Sequence, residues 1–185
     1  RGEAGASLAP TLQQVMAAFI QEVDAAGRLR HPNIVIYMGA CMATRPIIVT
    51  EFVARGDLAS VLQLRTAEDT SQIGDPLVWQ RHLQLALQMA TGLAHAHLCH
   101  YSHGDVKSPN ILVTQAYTAK VCDFVMCAFW RQGMERDPGA PASGVSVMWG
   151  APELFTGQRS TFSTDVYACG VVLWEIATLC APWQR

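Results

Sequence analysis

The chain has 185 residues, half of them apolar and 15% charged, with a formal net charge of −2 and a pI near 6.3. That is enough apolar sequence for one domain with a sizeable core, and it excludes a disordered chain. The charge balance gives no reason to propose nucleic acid or an anionic membrane as a partner. Six scattered cysteines without a C-x-x-C pair suit a reduced, cytoplasmic interior better than a disulfide scaffold.

Leu12, Val15, Met16, Phe19, Val23 and Ala26 recur at helical spacing, which predicts a first amphipathic helix ended by His31-Pro32-Asn33. Ile34 to Met38 and Pro46 to Thr50 read as two short buried strands joined through Gly39-Ala40. Gly56-Asp57 starts a short helix with Asp57 as its N-cap, and polar residues from Thr66 to Asp75 form a loop. Pro76 opens a long helix whose predicted core face is Leu83, Ala86, Leu87, Ala90, Leu93 and His97. Ile111-Leu112-Val113 and Ala119-Lys120-Val121 read as a small hairpin. Residues Met126 to Met148 lack periodicity and read as a loop, and Ala151-Pro152-Glu153 begins a final helical part. The run Val166 to Trp183 carries one charge, Glu175, and reads as a helix buried in a protein core rather than a membrane span.

Chemistry concentrates in His103-Gly104-Asp105-Val106-Lys107-Ser108-Pro109-Asn110, with Asp123-Phe124 further on. One short loop carries a carboxylate, a cation and an amide, and a second carboxylate follows an apolar run. Phosphoryl transfer needs such a set: a group to orient the attacking hydroxyl, a cation on the phosphate and oxygen ligands for Mg²⁺. A hydrogen-bonded surface loop would account for Asp105 and Asn110 as turn caps, but not for the downstream Asp-Phe or Ala-Pro-Glu. His95, His97, His100 and His103 crowd together. Positions 95 and 97 point to different helix faces, so they read as packed histidines and not as a zinc site.

In order, these motifs resemble the H-R-D-L-x-x-x-N, D-F-G and A-P-E signatures of protein kinases. Four phrases narrow the resemblance to the tyrosine-kinase-like group of serine/threonine kinases, related to Raf and the plant Raf-like kinases. They are Arg30-His31-Pro32-Asn33-Ile34-Val35, Met38-Gly39-Ala40, Lys107-Ser108-Pro109-Asn110-Ile111-Leu112-Val113, and Asp165-Val166-Tyr167 with Gly170-Val171-Val172-Leu173-Trp174-Glu175. The resemblance implies an α+β, protein kinase-like fold. It covers a helix and the last strands of the small lobe with the hinge in residues 1–53, and the first part of a mainly helical large lobe in 54–185.

It further implies that Asp105 is the catalytic base, that Lys107 neutralises charge on the γ-phosphate, and that Asn110 and Asp123 hold Mg²⁺. Glu22 matches the glutamate that pairs with an ATP-anchoring lysine. Thr50, Glu51 and Val53 match the hinge, where backbone groups of Glu51 and Val53 meet adenine and Thr50 borders the pocket behind it. Leu112 matches the apolar floor under the base. ATP and Mg²⁺ are thus the implied cofactors, and a protein serine or threonine hydroxyl the implied acceptor.

The chain departs from the family pattern at named positions. Gly104 replaces an arginine that reads activation-loop phosphate, which implies independence from phosphorylation at sites such as Ser143. Ser146 stands where the family has a threonine near the base. Val125 replaces the glycine of D-F-G, which would restrict switching of that loop, and Ala26 stands where a larger apolar residue is usual. The only lysines, Lys107 and Lys120, lie beyond the hinge, and no G-x-G-x-x-G is present. The chain therefore reads as part of a kinase domain, inactive by itself. The parent protein reads as an intracellular serine/threonine kinase, with a pseudokinase acting as a binding or regulatory module as the alternative.

Overall fold

Short apolar runs broken by turn residues, followed by two long apolar helices, give the chain its α+β character. The computed structural model describes residues 20, 23–24, 26–42, 46–62, 76–124, 128–129, 146–158 and 160–183. Antiparallel strands β1 (Tyr37–Met42) and β2 (Pro46–Thr50) pair from Tyr37↔Thr50 to Met42↔Pro46, with an irregularity between Tyr37 and Gly39. The predicted first strand is thus displaced toward the C-terminus, and Gly39-Ala40 lies inside it rather than in a connection. A Cβ at Gly39 would meet nothing within 4 Å, so no close approach demands glycine there.

Residues 33–36, of which 34–36 were expected to begin that strand, do something more useful. The Val35 N–H donates to Val121 O at 2.9 Å, and the Val121 N–H donates to Asn33 O at 2.8 Å. Asn33 Nδ2 donates to Ala119 O at 2.9 Å. This segment is therefore stitched onto the hairpin of β4 (Ile111–Val113) and β5 (Ala119–Val121), whose register pairs Leu112 with Lys120. A further strand pair, β3 (Tyr101–Ser102) with β6 (Ala128–Phe129), closes the loop that follows the hairpin.

Residues 23–24 and 26–28 are helical, within the expected first helix, whose residues before 20 lie outside the described ones, and three further helices follow. In α1 (Leu58–Leu62), Asp57 caps as expected: its carboxylate accepts the Ser60 N–H and the Ser60 hydroxyl, both at 2.8 Å. Helix α2 (Pro76–Leu98) buries Leu85, Ala86, Met89, Leu93 and Ala96, whereas Leu83 and Leu87 are 51% and 68% exposed. The predicted face was rotated because leucines and alanines surround this helix. Periodicity then offers two stripes, and contact with β5 and α3 selects one. Helix α3 (Phe162–Thr178) starts with a reciprocal capping box between Thr161 and Thr164 and buries Asp165, Ala168, Cys169, Val172, Glu175 and Ile176. No described helix is long and apolar enough to cross a membrane, in line with the core-helix reading of this run.

The core joins Leu29 and Ile34 to Leu85, Met89 and Leu93 of α2, to Ile111, Val113 and Val121 of the hairpin, and to Val172 and Ile176 of α3. Gly92 is where α2 meets the 33–36 segment. A Cβ there would collide with the Asn33 carbonyl oxygen and lie 3.1 Å from Val121 Cγ2. That oxygen cannot retreat without breaking its bond to Val121. Gly92→Ala is therefore expected to destabilise the protein by about 1–3 kcal/mol through overpacking, despite a helix-propensity gain of about 1 kcal/mol. A urea midpoint equal to or above that of the unmodified protein would contradict this.

Candidate active site

A buried carboxylate at the start of α3 shapes the loop between β3 and β4. Asp165 is 2% exposed. Its Oδ2 accepts the His103 N–H at 2.7 Å, the Ser102 hydroxyl at 3.1 Å and, at 2.9 Å, His97 Nε2; its Oδ1 accepts the Gly104 N–H at 2.8 Å. Gly104 has φ +79°, a left-handed conformation that glycine adopts without a Cβ penalty. The backbone thus turns sharply just before Asp105.

Past that turn, the reactive side chains close on one another. Asp105 Oδ2 accepts from Lys107 Nζ at 2.6 Å and from Asn110 Nδ2 at 3.1 Å, and its Oδ1 accepts the Ser146 hydroxyl at 2.8 Å. Lys107 Nζ also donates to Ser146 Oγ at 2.9 Å, and Asn110 Nδ2 donates to the Asp105 carbonyl at 2.9 Å. A short 3-10 turn at Ser108–Asn110, with Pro109 fixing its φ, brings the amide back under Asp105. Asp105, Lys107, Asn110 and Ser146 therefore form one cluster: the first three come from one short loop, and Ser146 from a turn 36 residues beyond Asn110.

Asp123 is held from both sides while its own side chain stays exposed. The Cys122 N–H donates to Asn110 O at 3.0 Å, and Cys122 O accepts from His103 Nε2 at 2.9 Å. Phe124 is buried, its ring 4.7 Å from that of His103. His103 Nδ1 accepts the Asp105 N–H at 3.2 Å, so the proton resides on Nε2 and the ring joins the backbone of Asp105 to that of Cys122. Asp123 adopts φ +65°, a strained setting that its short polar side chain tolerates better than most. Burial pushes the Cys122 thiol up to about 12, so it stays protonated, and it donates to Asn110 O at 3.3 Å.

The oxygen donors fit a hard divalent cation. Both hydrogens of the Asn110 amide are drawn to Asp105, which leaves its Oδ1 as the atom available to a metal, and Asp123 presents an exposed carboxylate. No group of three or more His, Cys, Asp or Glu that could hold a metal occurs among the described residues. An ion here would thus complete its shell with oxygens from water or from a phosphate ligand.

Of the nucleotide-side residues, Val53 is buried and Thr50 is exposed at the end of β2. Glu51 is fixed by its side chain: Oε1 accepts from Lys120 Nζ and from the Ile36 N–H, both at 2.7 Å. Leu112 lies across the hairpin from Lys120. Glu22, Val125 and Ser143 fall outside the described residues.

Sequence reasoning missed the supporting carboxylates. Glu175 is fully buried, and its two oxygens accept from Ser108 Oγ at 2.7 Å and Trp149 Nε1 at 2.8 Å. It thereby joins the loop carrying Lys107 to the turn carrying Ser146, where the Trp149 and Gly150 N–H groups both donate to Ser146 O at 3.0 Å. A lone acid inside an apolar helical run was the available signal, as it was for Asp165 at the helix start.

Burial raises the Glu175 pKa above its ordinary value, and the Trp149 and Ser108 hydrogen bonds only partly oppose this. A group whose folded pKa is raised contributes stability below its unfolded pKa of 4.5 and loses it as pH climbs through the folded value. Glutamine cannot ionise, so the stability of Glu175→Gln relative to the unmodified protein should rise as pH goes from 4.5 toward neutrality. Urea midpoints of both proteins across that range check this; a relative stability that falls with pH would refute it.

The family model for protein tyrosine and serine/threonine kinases matches residues 7–184. The serine/threonine-protein kinase CTR1 of Arabidopsis thaliana is 39% identical over 170 residues, covering 89% of this chain and 19% of that protein. A probable serine/threonine-protein kinase of the same plant, SIS8, is 36% identical, covering 93% of this chain and 16% of that protein. The dual specificity protein kinase shkC of Dictyostelium discoideum is 33% identical, over 92% of this chain and 32% of that protein. The chain thus spans less than a third of the length of each of these relatives.

Proposed function

The chain belongs to the protein tyrosine and serine/threonine kinase family, and from that premise we propose that the protein containing it transfers the γ-phosphoryl group of Mg·ATP to serine or threonine hydroxyls of proteins. The observation that carries this reading is the closed cluster of Asp105, Lys107, Asn110 and Ser146. Bound Mg²⁺, held by Asn110 Oδ1 and the Asp123 carboxylate, would neutralise charge on the phosphates.

The remaining roles follow from what each group has left to offer. A carboxylate has about four lone-pair sites; Asp105 uses three, on Lys107, Asn110 and Ser146. The last can accept the proton of an incoming hydroxyl. An ammonium has three donors, and Lys107 gives one to Asp105 and one to Ser146. The third is available to a phosphate oxygen, so the same cation can steady base and phosphate together.

Glu22, Thr50, Glu51, Val53 and Leu112 are assigned to the nucleotide side, with residues 1–53 as small lobe and hinge and 54–185 as large lobe. Serine/threonine specificity is supported by Lys107, which stands where tyrosine kinases carry a different loop, and by the names of the two plant relatives. A cytoplasmic setting is supported by free thiols at Cys41, Cys99, Cys122, Cys169 and Cys180. The loop geometry also supports independence from activation-loop phosphate. Gly104 presents no cation, and its backbone is anchored by Asp165 instead.

A pseudokinase reading is disfavoured, because a pure binding module has no use for a base whose lone pairs are so fully organised. In the full-length protein, Asp105→Asn should lower the phosphoryl-transfer rate by about 10²–10⁴-fold while nucleotide affinity changes little. Steady-state kinetics and calorimetric ATP titration check this. Undiminished turnover in the variant would remove Asp105 from the chemistry.

A further inference from the structure

Lys120 has no role in the reading above, yet its placement is hard to account for as packing alone. The residue is 9% exposed, and its ammonium donates to Glu51 Oε1 at 2.7 Å. The same oxygen accepts the Ile36 N–H at 2.7 Å, while the Glu51 N–H donates to Ile36 O at 2.9 Å. Glu51 is therefore gripped at its side chain and at its backbone, from two directions.

A buried ion pair is weak evidence for stability, since desolvating two charges offsets most of their attraction. What such a pair supplies is geometry. Lys120 lies directly opposite Leu112 in the β4–β5 pair, and directly opposed residues of an antiparallel pair present their side chains to one face. The ammonium thus shares a face with the residue assigned to the adenine floor, and it reaches from there to the hinge. It also lies three positions before Asp123, on the strand that leads to the metal-binding carboxylate.

We propose that Lys120 is a positioning residue for the nucleotide base: through the Glu51 carboxylate it holds the hinge backbone in register with Leu112. The inference rests on the ATP-site reading of this cleft. Because the strut ends at the hinge, it serves recognition of the base and not of the phosphates. A purely structural residue would affect both alike.

The test uses the full-length protein with Lys120→Met, Lys120→Arg, Glu51→Gln and the double variant Lys120→Met/Glu51→Gln. Kinetics give KM for ATP and kcat, and calorimetry compares Mg·ATP with magnesium tripolyphosphate, which has no base. Losing a hydrogen bond between charged groups is expected to raise KM for ATP by about tenfold in Lys120→Met, with kcat and tripolyphosphate affinity little changed. Lys120→Arg should recover most of the affinity, and the double variant should be no worse than the poorer single one. If Lys120→Met fails to fold, Glu51→Gln carries the same comparison. Equal weakening of ATP and tripolyphosphate, or a loss of kcat at unchanged KM, would overturn the proposal. Tight ATP binding by both the unmodified protein and Lys120→Met would overturn it alone. Absence of binding to either ligand by the unmodified protein would remove the ATP-site reading itself.

Discussion

The active-site loop depends on one buried carboxylate. Asp165 accepts from two consecutive backbone N–H groups, one hydroxyl and one imidazole, and it is almost fully removed from water. An isolated carboxylate in that position would be prohibitively unfavourable. Four donors make it tolerable, and they come from α2, from β3 and from the turn at Gly104. The same charge that requires those donors fixes where they lie. The turn ahead of Asp105 is therefore set by the start of helix α3, not by the loop's own preferences.

Helix α3 acts as a ruler between two such points. Asp165 and Glu175 are ten residues apart, roughly 15 Å along a helix axis. The first holds the beginning of the loop at His103 and Gly104. The second holds its middle at Ser108 and, through Trp149, the turn that presents Ser146. Asp105 and Lys107 lie between these anchors. Rigidity of the helix is thus passed to side chains that it never touches, which is why an apolar helix retains two buried acids at the expense of simpler packing. Between β5 and the residue that follows β2, the corresponding link is Lys120 with Glu51.

The chemistry was legible in the sequence because its residue types have few substitutes. A carboxylate, a cation, an amide and a second carboxylate at fixed offsets leave little choice; of these, Asp105, Lys107 and Asn110 meet through hydrogen bonds, while the Asp123 side chain is exposed. Where several residue types would serve, the letters were less informative. Leu83 and Leu87 had the spacing of a core stripe but face outward, since Leu85, Met89 and Leu93 offered an equal one. The strand expected from Ile34 begins instead at Tyr37, because residues 33–35 have a better partner in Val121 than in β2, and that partner is 86 or more residues away in sequence. The backbone roles proposed for Glu51 and Val53 would leave no side-chain mark. The pairing of Glu51 with Lys120 was equally invisible, being a contact between residues 69 positions apart.

The substitution at position 104 is best understood through the backbone. His100, Gly104 and Asp123 all have positive φ, and each non-glycine residue held this way costs of order 1–3 kcal/mol. At 100 and 123 the chain accepts that cost. At 104 it uses the one residue for which the cost nearly vanishes. An arginine there would add a cation able to read a phosphate, but it would also add strain at the turn that Asp165 stabilises. With glycine, the four hydrogen bonds at Asp165 need not offset a Cβ clash, and the loop can hold its shape from protein contacts alone. The relief of backbone strain at Gly104 and the bond from its N–H to Asp165 both favour a loop that holds its shape from contacts within the protein.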